Sequence, residues 1–288
     1  MATIRNPIEW GADKLRDATL HVEASGRAIR GGEAPDRAAA PAIRRIRLAD
    51  LMDALGKGFE DLAAYRTDVV FLCIIYPVIG IVLTQFAFHY DMLPRLFPLA
   101  SGFALLGPVA AIGIYEMSRR REQGAQASWA DAFGMIGAPA FGAILVLGLI
   151  LLAIFLLWLG AADLIYRYTI GPTMPASPEA FLSDLFTTDA GWMLILVGCG
   201  VGFLFALVVL AISVVSFPLL LDRDVGVGTA IATSVRAVTA NPGPMAFWGL
   251  IVAIGLVLGS IPLFVGLIVV MPVLGHATWH LYRKVVEA

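Results

Sequence analysis

The sequence predicts an all-α, polytopic membrane protein with six transmembrane helices, arranged as three units of an amphipathic helix followed by a membrane hairpin. Three observations carry this reading. Hydrophobic residues make up 59% of the 288 positions and charged residues only 15%, against about 25% charged in soluble domains. The apolar residues gather into runs long enough to cross a bilayer. The basic residues are segregated between the two sets of loops, as oriented membrane insertion demands.

Residues 1–46 are expected to form a cytoplasmic polar tail, partly disordered. Asn6 and Pro7 suit the cap and first position of a short helix in which Ile8, Leu15 and Val22 recur every seven residues. Ala24 to Pro41 reads as a flexible linker. No apolar run precedes Val69, so no cleaved signal peptide is expected, and the first span should direct its own insertion. Residues 47–66 predict a cytoplasmic amphipathic helix. Leu48, Leu51, Met52, Leu55, Phe59 and Leu62 form one stripe, with Asp50, Asp53, Glu60 and Asp61 against Lys57 on the polar face. A helix lying on anionic lipid should be basic there. This acidic one is expected to pack on transmembrane helix ends or on a partner.

Residues 67–288 then hold six predicted spans, near 69–89, 96–116, 141–161, 193–221, 246–260 and 263–282. The fourth exceeds a ~30 Å hydrocarbon core and should tilt or project into water. The fifth and sixth are short and broken at Pro262, so their hairpin must be tight, or re-entrant. Lys and Arg divide 18 to 2 between the two sides, with only Arg95 and Arg167 on the second. That division predicts that both termini are cytoplasmic.

An internal repeat is expected. Gly102, Pro108, Tyr115 and Arg119 share the spacings of Gly266, Pro272, Trp279 and Arg283. Residues 54–66 and 230–242 share an apolar rhythm ahead of their hairpins. "SWADAFGMI" with spans three and four supplies the middle unit.

Candidate chemistry is sparse. The four histidines are His21, His89, His276 and His280. His276 and His280 lie on one helix face but supply only two ligands, so neither haem nor a held metal is expected there. They read as polar residues at the headgroup level, with His276 bonded to a neighbouring helix. Cys73 and Cys199 fall inside apolar runs and predict neither a disulfide framework nor a zinc site. The middles of all six spans lack ionisable residues, which counts against a proton relay. At the cytoplasmic helix ends, Arg66, Asp68, Glu116, Arg119, Asp222, Arg223 and Arg283 are expected to form an interhelical ion network or an interaction site, with His276 and His280 beside it. GxxxG pairs at Gly198/Gly202 and Gly255/Gly259 are expected to pack internally. No nucleotide loop, HExxH, GxSxG or paired-carboxylate motif occurs, so no enzyme activity and no cofactor is expected.

The blocks "YRTDVVFLCIIYPVIG", "LFPLASGFALLGPVAAIGIYEMSRRRE", "SFPLLLDRDVG" and "MPVLGHATWHLYR" resemble a bacterial family of predicted integral membrane proteins of unknown function, over roughly residues 45–285. The resemblance implies a bacterial inner-membrane location; some members are labelled cytochrome c oxidase subunits, which implies a respiratory association, while the count of four histidines argues against oxidase chemistry. The expected role is a non-catalytic accessory or assembly component beside a larger membrane complex. Its partners would be the lipid bilayer and that complex, with no nucleic acid. The alternative is a small-solute transporter or channel built on the pseudo-threefold repeat.

Overall fold

A computed structural model describes residues 41–73, 77–82, 85, 93–125, 140–171 and 175–287, with the backbone alone for 65–73 and 93. The expected N-terminal helix, most of the linker, the "SWADAFGMI" stretch and His89 fall outside the described residues. So do the side chains of Arg66 and Asp68.

The described chain is helical apart from one isolated antiparallel bridge, Ile43 to Val286. Its helices are α1 (Leu48–Cys73), α2 (Leu93–Leu105), α3 (Gly107–Ala110), α4 (Ile112–Glu122), α5 (Phe141–Thr169) and α6 (Pro178–Thr187). They continue as α7 (Asp189–Ser213), α8 (Ser216–Asp222), α9 (Val227–Ala240), α10 (Pro242–Ser260) and α11 (Leu267–Val285).

Helix α11 is the hub. Most of its residues from Met271 to Val285 are buried. Helix α1 runs antiparallel to it and α4 runs parallel. Gly58 makes the first contact possible: a Cβ there would lie 2.8 Å from the Val273 carbonyl oxygen and 2.9 Å from Ala277 Cβ. At Gly275 a Cβ would lie 2.9 Å from Ile114 Cγ2, so α4 approaches as closely on another side. The amphipathic segment therefore packs on the protein's own helix ends, one of the two outcomes expected. It is continuous with the start of the first span, because "AYRTDVV" carries no Gly or Pro to break it. The boundary drawn at 66/67 thus lies inside α1. Asp50 caps its start by accepting the Arg47 N–H at 2.8 Å.

Three helices among the described residues are long and apolar enough to cross a membrane: Phe141–Thr169, Asp189–Asp222 and Pro242–Ser260. Six spans were expected, and the described residues do not confirm them. The first expected span lies partly outside the described residues. The second is divided among α2, α3 and α4 by turns at Leu106 and Ala111 around Pro108, which lacks the N–H a helix needs. The sixth, α11, ends in the polar "HATWHLYRKV". The expected fourth span is longer than foreseen, 34 residues with a turn at Val214–Val215. Ser234 Oγ of α9 accepts the Val215 N–H at 3.2 Å and secures that break.

Between α10 and α11 the turn 261–266 is as tight as the sequence required. Leu263 and Phe264 hold φ of 49° and 64°, a conformation seldom adopted by such residues. A Cβ on Gly266 would lie 2.8 Å from Gly259 Cα. Gly255 and Gly259 face α11, and Gly202 faces the Trp158 ring, so these pack internally; a Cβ on Gly198 meets nothing within 4 Å. "NPGP" is more than a turn, since Asn241 stands at the N-cap position of α10, without a side-chain capping bond, and Pro242 occupies its first turn. Asn241 also accepts the Ile46 N–H at 2.8 Å and donates to the Arg44 carbonyl at 3.0 Å. With Arg44 N–H to Val285 O at 2.8 Å, this holds the two ends of the described chain on one face of the bundle.

The matched prolines of the expected repeat differ in setting. Pro108 sits in the short α3 between two turns, whereas Pro272 is inside the continuous α11. Tyr115 and Trp279 are both buried, and Arg119 and Arg283 both occupy last turns of the parallel helices α4 and α11.

Candidate functional site

The polar side chains cluster where α1, α4 and α11 meet, and Asp61 is the centre. Its side chain is 6% exposed. It accepts from Ser118 Oγ at 2.6 Å, His280 Nε2 at 2.9 Å and Arg121 Nη1 at 2.5 Å. His276 Nδ1 lies 2.7 Å from Ser118 Oγ and 3.6 Å from Asp61 Oδ2. Each donor comes from a different helix turn, so the acid of α1 ties both neighbouring helices.

The protons can be placed by counting. An ionised carboxylate only accepts, so the single Ser118 hydroxyl proton goes to Asp61. His276 must then carry its proton on Nδ1 and donate it to Ser118. Its Nε2 is left as a lone pair, buried and without a hydrogen-bond partner. The order imidazole, hydroxyl, carboxylate reverses the one that activates a serine nucleophile, where imidazole takes the hydroxyl proton. Burial pushes the Asp61 carboxyl up, but hydrogen bonds from His280 and Ser118 more than offset this and hold it below the usual carboxylate value of 3.8.

A second set lies toward the helix ends. Glu116 accepts from Arg119 Nε at 2.7 Å and Nη2 at 2.9 Å, and from Arg120 Nε at 2.9 Å. Its hydrogen bonds to Arg119 raise that guanidinium's pKa further. Asp222 accepts from Tyr282 Oη at 2.6 Å and from Arg283 Nη1 at 3.3 Å. Arg283 Nε also donates to Glu122 at 3.0 Å, which accepts Trp279 Nε1 at 3.1 Å. Arg223 bonds the Glu287 carbonyl and lies 3.9 Å from Asp222. Lys284 Nζ, 2.8 Å from Asp53, completes the tie between α1 and α11.

Of the residues singled out from sequence, Glu116, Arg119, Asp222, Arg223 and Arg283 fall in this second set. His276 and His280 join a separate cluster whose organiser, Asp61, was singled out from sequence only as one of four acids on the polar face of the amphipathic helix. Glu116 and Asp222, the acids nearest in sequence logic, belong instead to the arginines. Ser118, Arg121 and Glu122 were also missed as partners.

Among the described residues, no three His, Cys, Asp or Glu side chains group as ligands for an ion. Purified protein is expected to be colourless. Replacing both His276 and His280 with alanine should lower stability by about 1–3 kcal/mol, by unpairing buried partners. Absorption spectra and melting curves of wild type and variant check both; a haem band lost in the variant would refute the assignment.

Comparison with known proteins places the chain by class. Residues 96–222 match the family described as predicted integral membrane protein (DUF2189). The match runs from α2 through α8, narrower than the resemblance read from sequence, and its description says nothing of an oxidase. No curated protein and no solved structure matches. The chain is an integral membrane protein with apolar helices, the regular structure of its described residues is helical, and the family that matches 96–222 is one of unknown function.

Proposed function

We propose that this protein is a non-catalytic accessory or assembly component that docks, through α7, beside a larger and respiratory membrane complex. One observation carries the reading. In the apolar window of 189–222 only 6% of residues are buried inside the bundle, against 33% in α5. Trp192, Leu196, Phe203 and Leu207 form an outward stripe on α7, all exposed, beside the open Gly200. Small residues next to large apolar ones let another helix approach closely. In this reading the basic end is cytoplasmic in a bacterial inner membrane. The parallel placement of Tyr115/Arg119 and Trp279/Arg283 favours the internal repeat. No enzyme activity and no cofactor is proposed.

Extraction from native membranes in a mild detergent should give a particle much larger than the 30.7 kDa chain. A Gly200→Phe variant should shift it toward the free chain. A wild-type particle of single-chain size would contradict the proposal. Orientation is checked by cysteine labelling in a variant lacking Cys73 and Cys199. Ser183→Cys should react from outside the cell and Arg45→Cys should not; the reverse result would overturn the topology.

A second reading, a small-solute transporter or channel on a pseudo-threefold repeat, draws support from the Asp61 cluster. An enclosed carboxylate beside two imidazoles, one with an idle nitrogen, is what a proton-coupled path uses. The spanning helices alone concealed it, because Asp61 comes from α1. Uptake assays in vesicles distinguish the readings: pH-driven solute flux lost in Asp61→Asn would favour this one.

A further inference from the structure

A cleft of about 480 Å³ lies between α2 and α5, at the opposite end of α5 from the basic layer. That volume is within the range of small-molecule sites. Its charged wall consists of Arg95, Asp163 and Arg167. Arg95 Nη2 lies 3.1 Å from Asp163 Oδ1, and Arg167 Nε lies 2.7 Å from Asp163 Oδ2. These are the two basic residues that the charge distribution leaves on the sparsely charged side of the membrane. Both converge on one carboxylate. The three side chains sum to a charge of +1, and each guanidinium carries five N–H donors, more than one carboxylate can accept. The surplus of donors and the net charge suit an anion, and guanidinium forks suit phosphate.

The rest of the cleft is mostly apolar: Pro94, Pro98, Leu99, Leu159 and Ala162, with Gly160 in its wall and Tyr166 as its other polar side chain. A Cβ on Gly160 would meet nothing within 4 Å, so the cleft is open there. Trp158 Nε1 donates to the Pro98 carbonyl at 3.0 Å and lies 3.2 Å from Ser101 Oγ, pinning α2 to α5 and fixing the walls. On either side, Phe97 and Leu164 are 58% and 55% exposed, so the cleft continues into the surface that faces hydrocarbon. A soluble anion would need only the arginines. An apolar slot continuous with the lipid-facing flank suits a molecule with a charged head and an alkyl chain.

We propose that this cleft binds one anionic phospholipid, its phosphate held by Arg95 and Arg167 and one acyl chain lying along Leu99, Leu159 and Gly160. Asp163 keeps both guanidiniums in place when the lipid is absent. The site is independent of the docking flank on α7.

The test uses the full chain in detergent, delipidated, with melting temperature read against added lipid. Phosphatidylglycerol should raise it saturably, and phosphatidylcholine and inorganic phosphate should not. Arg95→Gln with Arg167→Gln should weaken the apparent affinity about tenfold or more, from the loss of two basic contacts near the headgroup. Gly160→Leu should abolish the response by filling the cleft without lowering the lipid-free melting temperature, which separates blockage from misfolding. Equal shifts with phosphatidylcholine, or a wild-type response in Gly160→Leu, would overturn the proposal. A shift reproduced by phosphate alone would make the site one for free anions and overturn it as a lipid site.

Discussion

Replacing Asp61 with leucine is expected to destabilise the bundle by about 3–5 kcal/mol, the cost of removing one partner from a buried ionic set. The carboxylate accepts from Ser118, His280 and Arg121 at 2.5–2.9 Å. Without it, three buried or half-buried donors lose their acceptor at once, and α1 loses its polar tie to α4 and α11. The pH dependence has a definite sign. The folded carboxyl is held below 3.8, so its contribution is present above the ordinary carboxylate range and disappears as pH falls through the lowered folded value. Wild type should therefore lose stability below about pH 4, and Asp61→Asn should lack that component. Melting curves from pH 3 to 7 in detergent measure both. Equal acid sensitivity in wild type and Asp61→Asn would show that the carboxylate does not hold the helices together.

The second large effect is expected at Gly58. A Cβ would lie 2.8 Å from the Val273 carbonyl oxygen and 2.9 Å from the Ala277 nitrogen, both backbone atoms of α11. Neither can rotate away, so Gly58→Ala must push the helices apart, at about 1–3 kcal/mol, and Gly58→Leu at more. Gly56, two residues earlier, is the control. A Cβ there meets nothing within 4 Å. Gly56→Ala should stabilise by up to about 1 kcal/mol through helix propensity. Opposite signs in the two alanine variants are the expected result of thermal unfolding. Equal effects would mean that α1 does not lie against α11 at this point.

These two residues also show how much was legible in the sequence. The apolar stripe of α1 was visible, but its buried line was misjudged. Leu51, Ala54, Gly58 and Asp61 are the buried positions, whereas Leu48, Met52 and Phe59 are exposed. A spacing of three, four and three marks one helix face, and Ala54 and Gly58 mark it as the face of close approach. Counting only large apolar residues hid it, and with it Asp61. The three long apolar helices were legible because hydropathy decides them locally. The turns around Pro108 were only half legible. A proline predicts a break, but whether the helix resumes in line depends on neighbours. The contrast with Pro272, inside an unbroken α11, shows that packing decides. Pairing across helices was the least legible. Glu122 bonds residues 157 and 161 positions away, and no periodicity reports that.

Docking through α7 is the central claim, and crosslinking in native membranes tests it most directly. A photoreactive residue at Leu196 or Phe203, both about two-thirds exposed on α7, should form a crosslink to one protein partner. The same residue at Leu157 of α5, equally exposed, should capture lipid only. Crosslinks to lipid alone from all three positions would contradict the account and leave α7 as an ordinary lipid-facing helix.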